Sequence, residues 1–215
     1  MRLKNVPGAR EEIERSAWAV TEPESYRGRW QSLFEKEQPL AAEIGMGKGR
    51  FLMEMAQRDP GINFLGLEKY SSVLLRAVQK QEERQLANLW LIRADAQYLK
   101  DFFAPGELSV IYLNFSDPWP KDRHAHRRLT SPRFLERYRE VLAPGGRVEF
   151  KTDNTALFDY SLESLEQERW QIFSVTRDLH HSDQAEGNVM TEYEERFSAL
   201  GNPICRLTAV PPLDK

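Results

Sequence analysis

One polar stretch, Asn114–Lys121, carries side chains suited to chemistry on a planar ligand. It follows an apolar run, Val110–Leu113, which is typical of a strand buried on both faces of a parallel sheet. Two prolines stiffen the chain after this strand and hold the carboxylate of Asp117 at the carboxyl edge, where open α/β sheets bind ligands. Trp119 adds a flat apolar face for a ring. An ordinary Asp-Pro turn with a packed tryptophan is the alternative interpretation.

A glycine-rich loop, with Gly45, Gly47 and Gly49, stands between the first predicted strand and the helix that follows it. Glycines allow a tight turn and a close approach of a ligand to the backbone. Glu68 ends the second predicted strand about 20 positions later, where a carboxylate can accept from both hydroxyls of a ribose. Asp95 ends the third strand and can accept from an adenine amine. The pattern predicts a nucleotide crevice, although a glycine turn beside solvated acids remains the alternative.

The charge around this loop distinguishes two kinds of cofactor. The spacing is G-x-G-x-G instead of the dinucleotide pattern G-x-G-x-x-G, and Glu43 precedes the loop within the strand. Carboxylates repel a diphosphate, but they attract a sulfonium and an α-amino group. The sequence therefore favours S-adenosylmethionine over a nicotinamide dinucleotide.

A basic run follows the Asn114–Lys121 stretch. Its members are Arg123, His124, His126, Arg127 and Arg128. Runs of charge are usually solvated faces, but a position beside the predicted site favours contacts with the phosphates of RNA. No further histidine or cysteine has metal-ligand spacing, so no metal site is predicted.

Strands and helices alternate along the chain, and this alternation predicts a doubly wound, mostly parallel, seven-stranded α/β sheet. The predicted strands are Leu40–Ile44, Asn63–Leu67, Leu89–Ile92, Val110–Leu113, Val148–Thr152, Ile172–Val175 and Ile204–Val210. The helices between them show apolar residues three and four positions apart, as in Phe134, Tyr138 and Val141.

The composition is that of a soluble globular protein, with 40% hydrophobic and 29% charged residues in a chain of 215. A single cysteine excludes an intrachain disulfide and fits a cytoplasmic location. No apolar stretch approaches membrane-spanning length. The net charge of −3 gives no general attraction to nucleic acid, so such binding must depend on local patches.

Two regions are expected. Residues 1–39 form an N-terminal arm, partly mobile, with a short helix over Arg10–Val20. Residues 40–215 form a single α/β domain of ordinary size, since the length leaves no need for a second one.

Five motifs together resemble those of the tRNA (guanine-N7)-methyltransferases. They are Glu43–Gly49, Asn114–Lys121, Arg127–Leu129, Lys151–Asn154 and Thr191–Glu194. The resemblance runs in order from about Leu40 to the end of the chain. It implies a Rossmann-like class I methyltransferase fold, S-adenosylmethionine as methyl donor, and transfer to N7 of a guanine in the variable loop of tRNA.

The same resemblance implies roles for individual residues. Glu43, Glu68, Asp95 and Asp117 contact the cofactor or line its pocket, and Asp117 is the catalytic carboxylate. The implied substrate contacts are Lys121, Asp153, Thr191, Glu192, Tyr193 and Glu194. Some of these residues have a structural alternative, because Thr191 begins a capping box at a helix start and Asp153 can cap a helix with Asn154.

Three other functions remain open. Methylation of an exocyclic amine would use an Asn/Asp-Pro-Pro-aromatic loop, and the order Asp117-Pro118-Trp119-Pro120 departs from it. A non-catalytic RNA-binding module of the same fold is a second alternative, and a dehydrogenase is the least favoured. The expected partner is tRNA, with no membrane, and the protein is expected to be a monomer or a homodimer.

Overall fold

The structure is a computed structural model that describes residues 6–212, so the outermost residues of the predicted arm and domain lie outside it. The strands within this range are β1 (Ala19–Val20), β2 (Leu40–Ile44), β3 (Asn63–Leu67), β4 (Leu89–Ile92), β5 (Leu108–Asn114), β6 (Leu142–Thr152), β7 (Gln171–Thr176) and β8 (Cys205–Val210). The α-helices are α1 (Ala9–Arg15), α2 (Arg50–Arg58), α3 (Ser71–Arg84), α4 (Leu99–Phe102), α5 (Pro132–Val141), α6 (Thr155–Gln167) and α7 (Glu192–Ser198).

All these strands form one sheet, in the order β1-β4-β3-β2-β5-β6-β8-β7. The pairs from β1 to β6 are parallel, whereas β8 is antiparallel to both β6 and β7. The predicted doubly wound, mostly parallel α/β fold is therefore confirmed. The strand order reverses at β2, because the chain continues to β3 on one side and later returns to β5 on the other. The carboxyl ends of β2 and β5 thus flank a crevice of the kind that binds ligands.

The number of strands differs from the prediction, because β1 adds an eighth to the predicted seven. The predicted helix over Arg10–Val20 ends at Arg15, and Ser16 is already extended. The backbone of Trp18 then accepts from Leu91 N at 3.0 Å, and Val20 accepts from Arg93 N at 3.1 Å. A two-residue strand is too short for its alternation of side chains to be recognised in the sequence.

Helices cover both faces of the sheet, and this arrangement explains why the central strands are apolar throughout. All five residues of β2 are buried, with Ala41 on the face of α2 and α3 and Ala42 on the opposite face. Side chains of α4, α5 and α6 fill that second face. The core thus lies in two layers, one on each side of a sheet whose carboxyl edge remains open.

The described part of the predicted arm packs on the domain. Ile13 and Trp30 are fully buried, and the Trp30 indole donates to the Phe102 carbonyl at 2.8 Å. The predicted boundary at residue 39 and the partial mobility of the arm stay predictions. Within residues 6–212, no helix is both long and apolar enough to cross a membrane.

Candidate active site

A cavity of about 620 Å³ opens at the carboxyl ends of the central strands. This volume lies in the range of pockets that hold cofactors and small molecules. Carboxylates from three strand ends, Glu68, Asp95 and Asp117, line it. Phe115 and Trp119 contribute aromatic surface to the same cavity. The combination of acids with flat apolar faces suits a ligand that has both a ring and positive charge.

The glycine loop turns sharply because its backbone adopts the left-handed region. Gly45 has a φ of 75° and Gly47 a φ of 61°, values that residues with a Cβ rarely adopt. The Gly47 N–H donates to the Glu68 carboxylate at 3.3 Å, and the Tyr70 N–H donates to it at 2.9 Å. Burial raises the pKa of Glu68 above its ordinary value, although these N–H groups oppose the shift. Glu68 therefore fixes the loop as well as lining the cavity.

The loop also needs a residue without a side chain in the next strand. A Cβ added to Gly66 of β3 would lie 2.1 Å from the Met46 sulfur and 2.9 Å from a Leu52 methyl. Met46 is buried over this glycine. The strand glycine therefore allows the loop to pack against the sheet.

Asp95 begins a short 3₁₀ turn at the end of β4. One of its carboxylate oxygens accepts from the Gln97 N–H at 3.0 Å, and the other lies 3.9 Å from the Lys69 ammonium. The cap holds the carboxylate in the cavity wall, as the predicted contact with an adenine amine requires.

Glu43 lies deeper than the cavity wall and is only 2% exposed. One oxygen accepts from the Asn114 amide at 2.8 Å, which joins the ends of β2 and β5. The other oxygen is buried and has no hydrogen-bond partner among the described residues. Burial raises the pKa of this carboxyl to about 7, and the nearby Lys151 ammonium opposes that shift.

The Asp117 turn, residues 115–120, has an unusual backbone. Phe115 and Trp119 both have positive φ, 51° and 42°, although neither is glycine. Such conformations persist where the surrounding structure holds them, and they concentrate at functional sites. The turn presents the exposed side chain of Asp117 to the cavity.

The basic run forms a short 3₁₀ helix, Asp122–Arg127, after this turn. The Arg127 guanidinium lies 4.9 Å from the centre of the Trp119 ring and lines the cavity together with His126. Arg128 turns the other way, because its Nε donates to the Pro118 carbonyl and its Nη2 to the Trp119 carbonyl, each at 3.1 Å. Neighbouring arginines of this run therefore have different surroundings.

A buried ion pair connects β6 with the start of α7. The Lys151 ammonium lies 2.7 Å from Glu194, and the two side chains are 6% and 0% exposed. The same ammonium donates to the Asn188 side chain at 3.1 Å and to the Val189 carbonyl at 2.8 Å. Burial lowers the pKa of Lys151, while Glu194 opposes that shift. These contacts hold the start of α7 against the carboxyl edge of the sheet.

The start of α7 has the predicted cap and adds an aromatic contact. Thr191 Oγ1 accepts from the Glu194 N–H at 2.9 Å, which confirms the Thr191 half of the predicted capping box. The Glu194 carboxylate accepts from Lys151 and Asn188 and so does not complete the box. The Tyr193 hydroxyl donates to Asp153 at 3.2 Å, and its ring lies 5.0 Å from the ring of Phe115. Asp153 and Tyr193 therefore stand beside the Asp117 turn.

Comparison with known proteins identifies the family. A family model described as "Putative methyltransferase" matches residues 37–207. A tRNA (guanine-N(7)-)-methyltransferase of Lachnoclostridium phytofermentans is 56% identical over 209 residues, which cover 97% of this chain and 98% of that protein. The protein of the same name from Bacillus subtilis is 47% identical over 207 residues, with 96% and 97% covered. The chain belongs to the tRNA (guanine-N7)-methyltransferase family.

A solved structure supports the fold at much greater sequence distance. The 16S rRNA methyltransferase KamB superposes with a TM-score of 0.65 at 14% identity, covering 86% of this chain and 94% of that one. At this level of identity the likeness concerns the architecture alone. The predicted class I methyltransferase fold is confirmed by it.

Family membership makes S-adenosylmethionine the methyl donor, as the charge pattern predicted. The residues present fit this group. Glu68 and Asp95, at the ends of neighbouring strands, line one cavity, as contacts with a ribose and an adenine require. Glu43, two positions before Gly45 of the lining, has a buried oxygen without a hydrogen-bond partner among the described residues. Among residues 6–212, no group of three or more His, Cys, Asp or Glu side chains is placed to hold a metal ion.

The structure brings some of the predicted residues to the cavity and places others around it. Those that line it are Gly45, Glu68, Asp95, Asp117, His126 and Arg127. Those outside its lining are Glu43, Gly47, Gly49, Lys121, Arg123, His124, Arg128, Asp153, Thr191, Glu192, Tyr193 and Glu194. The predicted contacts of these residues with the cofactor and the RNA stay predictions.

Asn114 and Lys151 belong to two of the motifs named from the sequence, but the contacts that they make were not predicted. Asn114 holds Glu43, and Lys151 holds Glu194. Each pair joins residues far apart in the chain, so spacing alone gives no sign of it. The only available signal was polarity, because a lysine stands next to Phe150 and Thr152 in a strand that is buried at its carboxyl end.

Proposed function

We propose that this protein transfers the methyl group of S-adenosylmethionine to N7 of a guanine in tRNA and so produces 7-methylguanosine. The observation that carries the proposal is the convergence of Glu68, Asp95 and Asp117 on one cavity in a chain of this family. The proposed acceptor is the guanine of the variable loop, in a cytoplasmic enzyme that acts as a monomer or a homodimer.

The chemistry needs no general base. N7 of guanine carries an available lone pair, so no proton has to leave before it attacks. When bound, S-adenosylmethionine supplies an electrophilic methyl group on a sulfonium. The protein has to align the two reactants and stabilise the positive charge that moves towards the purine. Carboxylates on a stiff framework meet both needs.

Each cavity carboxylate has a distinct part in this proposal. Glu68 binds the ribose hydroxyls and at the same time holds Gly47 of the loop. Asp95 accepts from the adenine amine. Asp117, exposed on its turn, accepts from the N1–H and 2-amino group of guanine and stabilises the developing cation.

Residues at the edge of the cavity and outside it hold the rest of the RNA. Arg127 and Arg123 are exposed beside the Asp117 turn, and guanidinium groups bind phosphates through charge and geometry. Lys121 adds a third exposed cation at the start of the same segment. Asp153 and Tyr193, joined by a hydrogen bond next to Phe115, form the side of the mouth where the base enters.

The proposal is tested by incubating the purified protein with unmodified tRNA and S-adenosylmethionine, followed by nucleoside analysis. We expect 7-methylguanosine, and we expect it to disappear when the variable-loop guanine of the transcript is replaced by adenine. Methylation of an exocyclic amine instead, or RNA binding with no methylated nucleoside, would contradict the proposal. Cofactor binding by itself is checked separately by calorimetry, so a failure of binding is distinguished from a failure of transfer.

A further inference from the structure

We propose that Arg128 is a positioning residue that holds the Asp117 turn in its active shape, instead of contacting a tRNA phosphate. This inference rests on the proposed function and assigns one residue of the basic run a different part in it. It replaces the RNA-binding role that the composition of the run predicted for Arg128.

The first argument is the geometry of the guanidinium. Arg128 donates from Nε to the Pro118 carbonyl and from Nη2 to the Trp119 carbonyl, both at 3.1 Å. Two donors on a rigid fork thus bind consecutive carbonyls of the turn. A lysine has a single charged nitrogen and cannot reproduce this planar pair of bonds.

The second argument is the surroundings of the side chain. Arg128 is half-buried, and its guanidinium lies 4.2 Å from the centre of the Tyr160 ring on α6. With one face on the ring and two donors on the turn, it connects the turn to the body of the domain. Its neighbour Arg127 is exposed, so its guanidinium remains accessible to a phosphate.

The third argument is that the turn has little else to hold it. Phe115 and Trp119 have positive φ, and the prolines between and after them have no N–H to donate. The Phe115 N–H donates to the Lys151 carbonyl at 2.8 Å and secures the start of the turn. Within residues 6–212, the bonds from Arg128 are the only hydrogen bonds to the backbone of residues 116–120. Loss of Arg128 would therefore free Asp117 to move.

The test compares Arg128→Gln and Arg128→Lys with Arg127→Gln as the matched neighbour. Single-turnover methyl transfer and the salt dependence of tRNA binding are measured on each. A small misplacement of reacting groups costs up to about 10²-fold in rate, so both Arg128 variants should transfer methyl roughly 10- to 10²-fold more slowly. Their tRNA affinity and salt slope should match the parent. Arg127→Gln should make the log–log salt slope shallower by about one unit.

A second variant approaches the same contact from its other side. Tyr160→Leu removes the ring beneath the guanidinium and should slow transfer in the same direction without changing the salt slope. If Arg128→Gln fails to fold, Tyr160→Leu still tests the positioning role of Arg128.

Two results would overturn the proposal. One is a salt slope that becomes shallower by about one unit in Arg128→Gln and returns to the parental value in Arg128→Lys, as for a phosphate contact. The other is parental transfer by folded Arg128→Lys and Tyr160→Leu. If the unmutated protein makes no 7-methylguanosine, the proposed function itself is wrong. That result is obtained before the variants are compared, so it is distinguished from a failure of the proposal for Arg128.

Discussion

The two segments that flank the mouth of the cavity are held in opposite ways. The Asp117 turn is exposed, has a strained backbone and is held by two bonds from Arg128 to its carbonyls. The start of α7 is held by Lys151 and Glu194, an ion pair that is almost completely buried. The rings of Phe115 and Tyr193 meet 5.0 Å apart where the two segments touch.

The difference follows from what each segment has to present. In the proposed function Asp117 accepts from guanine, so its turn has to stay uncovered and is held from the side of the domain by Arg128. Tyr193 of α7 contacts Phe115 of the cavity lining, while Glu194 of the same helix is buried and pairs with Lys151 of the sheet. A buried ion pair without its partner is costly, which makes this second attachment rigid but sensitive to mutation. Substitutions on the two sides should therefore separate stability from activity.

The largest effect is expected from Lys151→Met. It leaves the buried Glu194 carboxylate with the Asn188 amide and the nearby His180 ring but without its ammonium partner. Removing one member of a buried pair typically costs about 3–5 kcal/mol, which should appear in the free energy of unfolding by urea. The double variant Lys151→Met with Glu194→Leu is the control and should recover much of the loss, because no isolated charge remains. A loss below about 1 kcal/mol in the single variant would show that the pair does not hold α7.

The next effect is expected on activity and not on stability. Asp117→Asn keeps the size of an exposed side chain but presents an amide donor to the donor edge of guanine. With the lost stabilisation of the purine cation, single-turnover transfer should fall by at least ~10²-fold. The melting temperature and tRNA affinity should stay close to those of the parent, since phosphate contacts supply most of the binding. Near-parental transfer by this variant would exclude Asp117 from the mechanism and make Asp153 the candidate.

A third prediction concerns the buried carboxyl of Glu43 in β2 and the dependence of stability on pH. The folded-state pKa of Glu43 is about 7, raised by burial from 4.5, so the folded protein binds a proton more tightly than the unfolded chain. The stability contributed by this group is then fully present below pH 4.5 and is lost as the pH rises through 7. Its charged neighbours are Lys151, which opposes the shift, and Glu68, which adds to it.

The expected loss from this group between about pH 5 and pH 8 is roughly 2 kcal/mol. Glu43→Gln is the control, because it keeps an acceptor for Asn114 and cannot titrate. Urea unfolding at several pH values should give a steeper fall for the parent than for Glu43→Gln. Parallel profiles would mean that Glu43 does not titrate in this range.

The sequence was most informative where structure depends on local pattern. Apolar runs such as Val110–Leu113 predict strands buried on both faces, and a residue that ends a parallel strand must lie at the common edge. This is why Glu68, Asp95 and Asp117 could be placed together before their contacts were known. The reasoning fails for attachments between distant residues, because the Lys151–Glu194 pair has no local pattern. It also fails for Arg127 and Arg128, which are identical in type and adjacent, yet one faces solvent and the other the turn.

The smallest effect is expected from Glu192→Gln, which tests whether ion pairs at the surface of α7 contribute to holding it. Glu192 pairs with Lys80 at 2.8 Å and with Lys48 at 3.4 Å, and its side chain is 41% exposed. Hydrogen bonding to Lys80 lowers the pKa of Glu192, but solvent and salt screen exposed pairs, so their typical value is about 0–1 kcal/mol. Glu192→Gln should therefore change the free energy of unfolding by less than about 1 kcal/mol, and by still less in high salt.

The methyl-transfer rate of Glu192→Gln also distinguishes the predicted substrate contact from a surface ion pair. A parental rate assigns Glu192 to the surface pairs alone, whereas slow transfer with parental stability would support the substrate contact. A loss as large as that of Lys151→Met would mean that the exposed face of α7, and not the buried pair, carries the attachment.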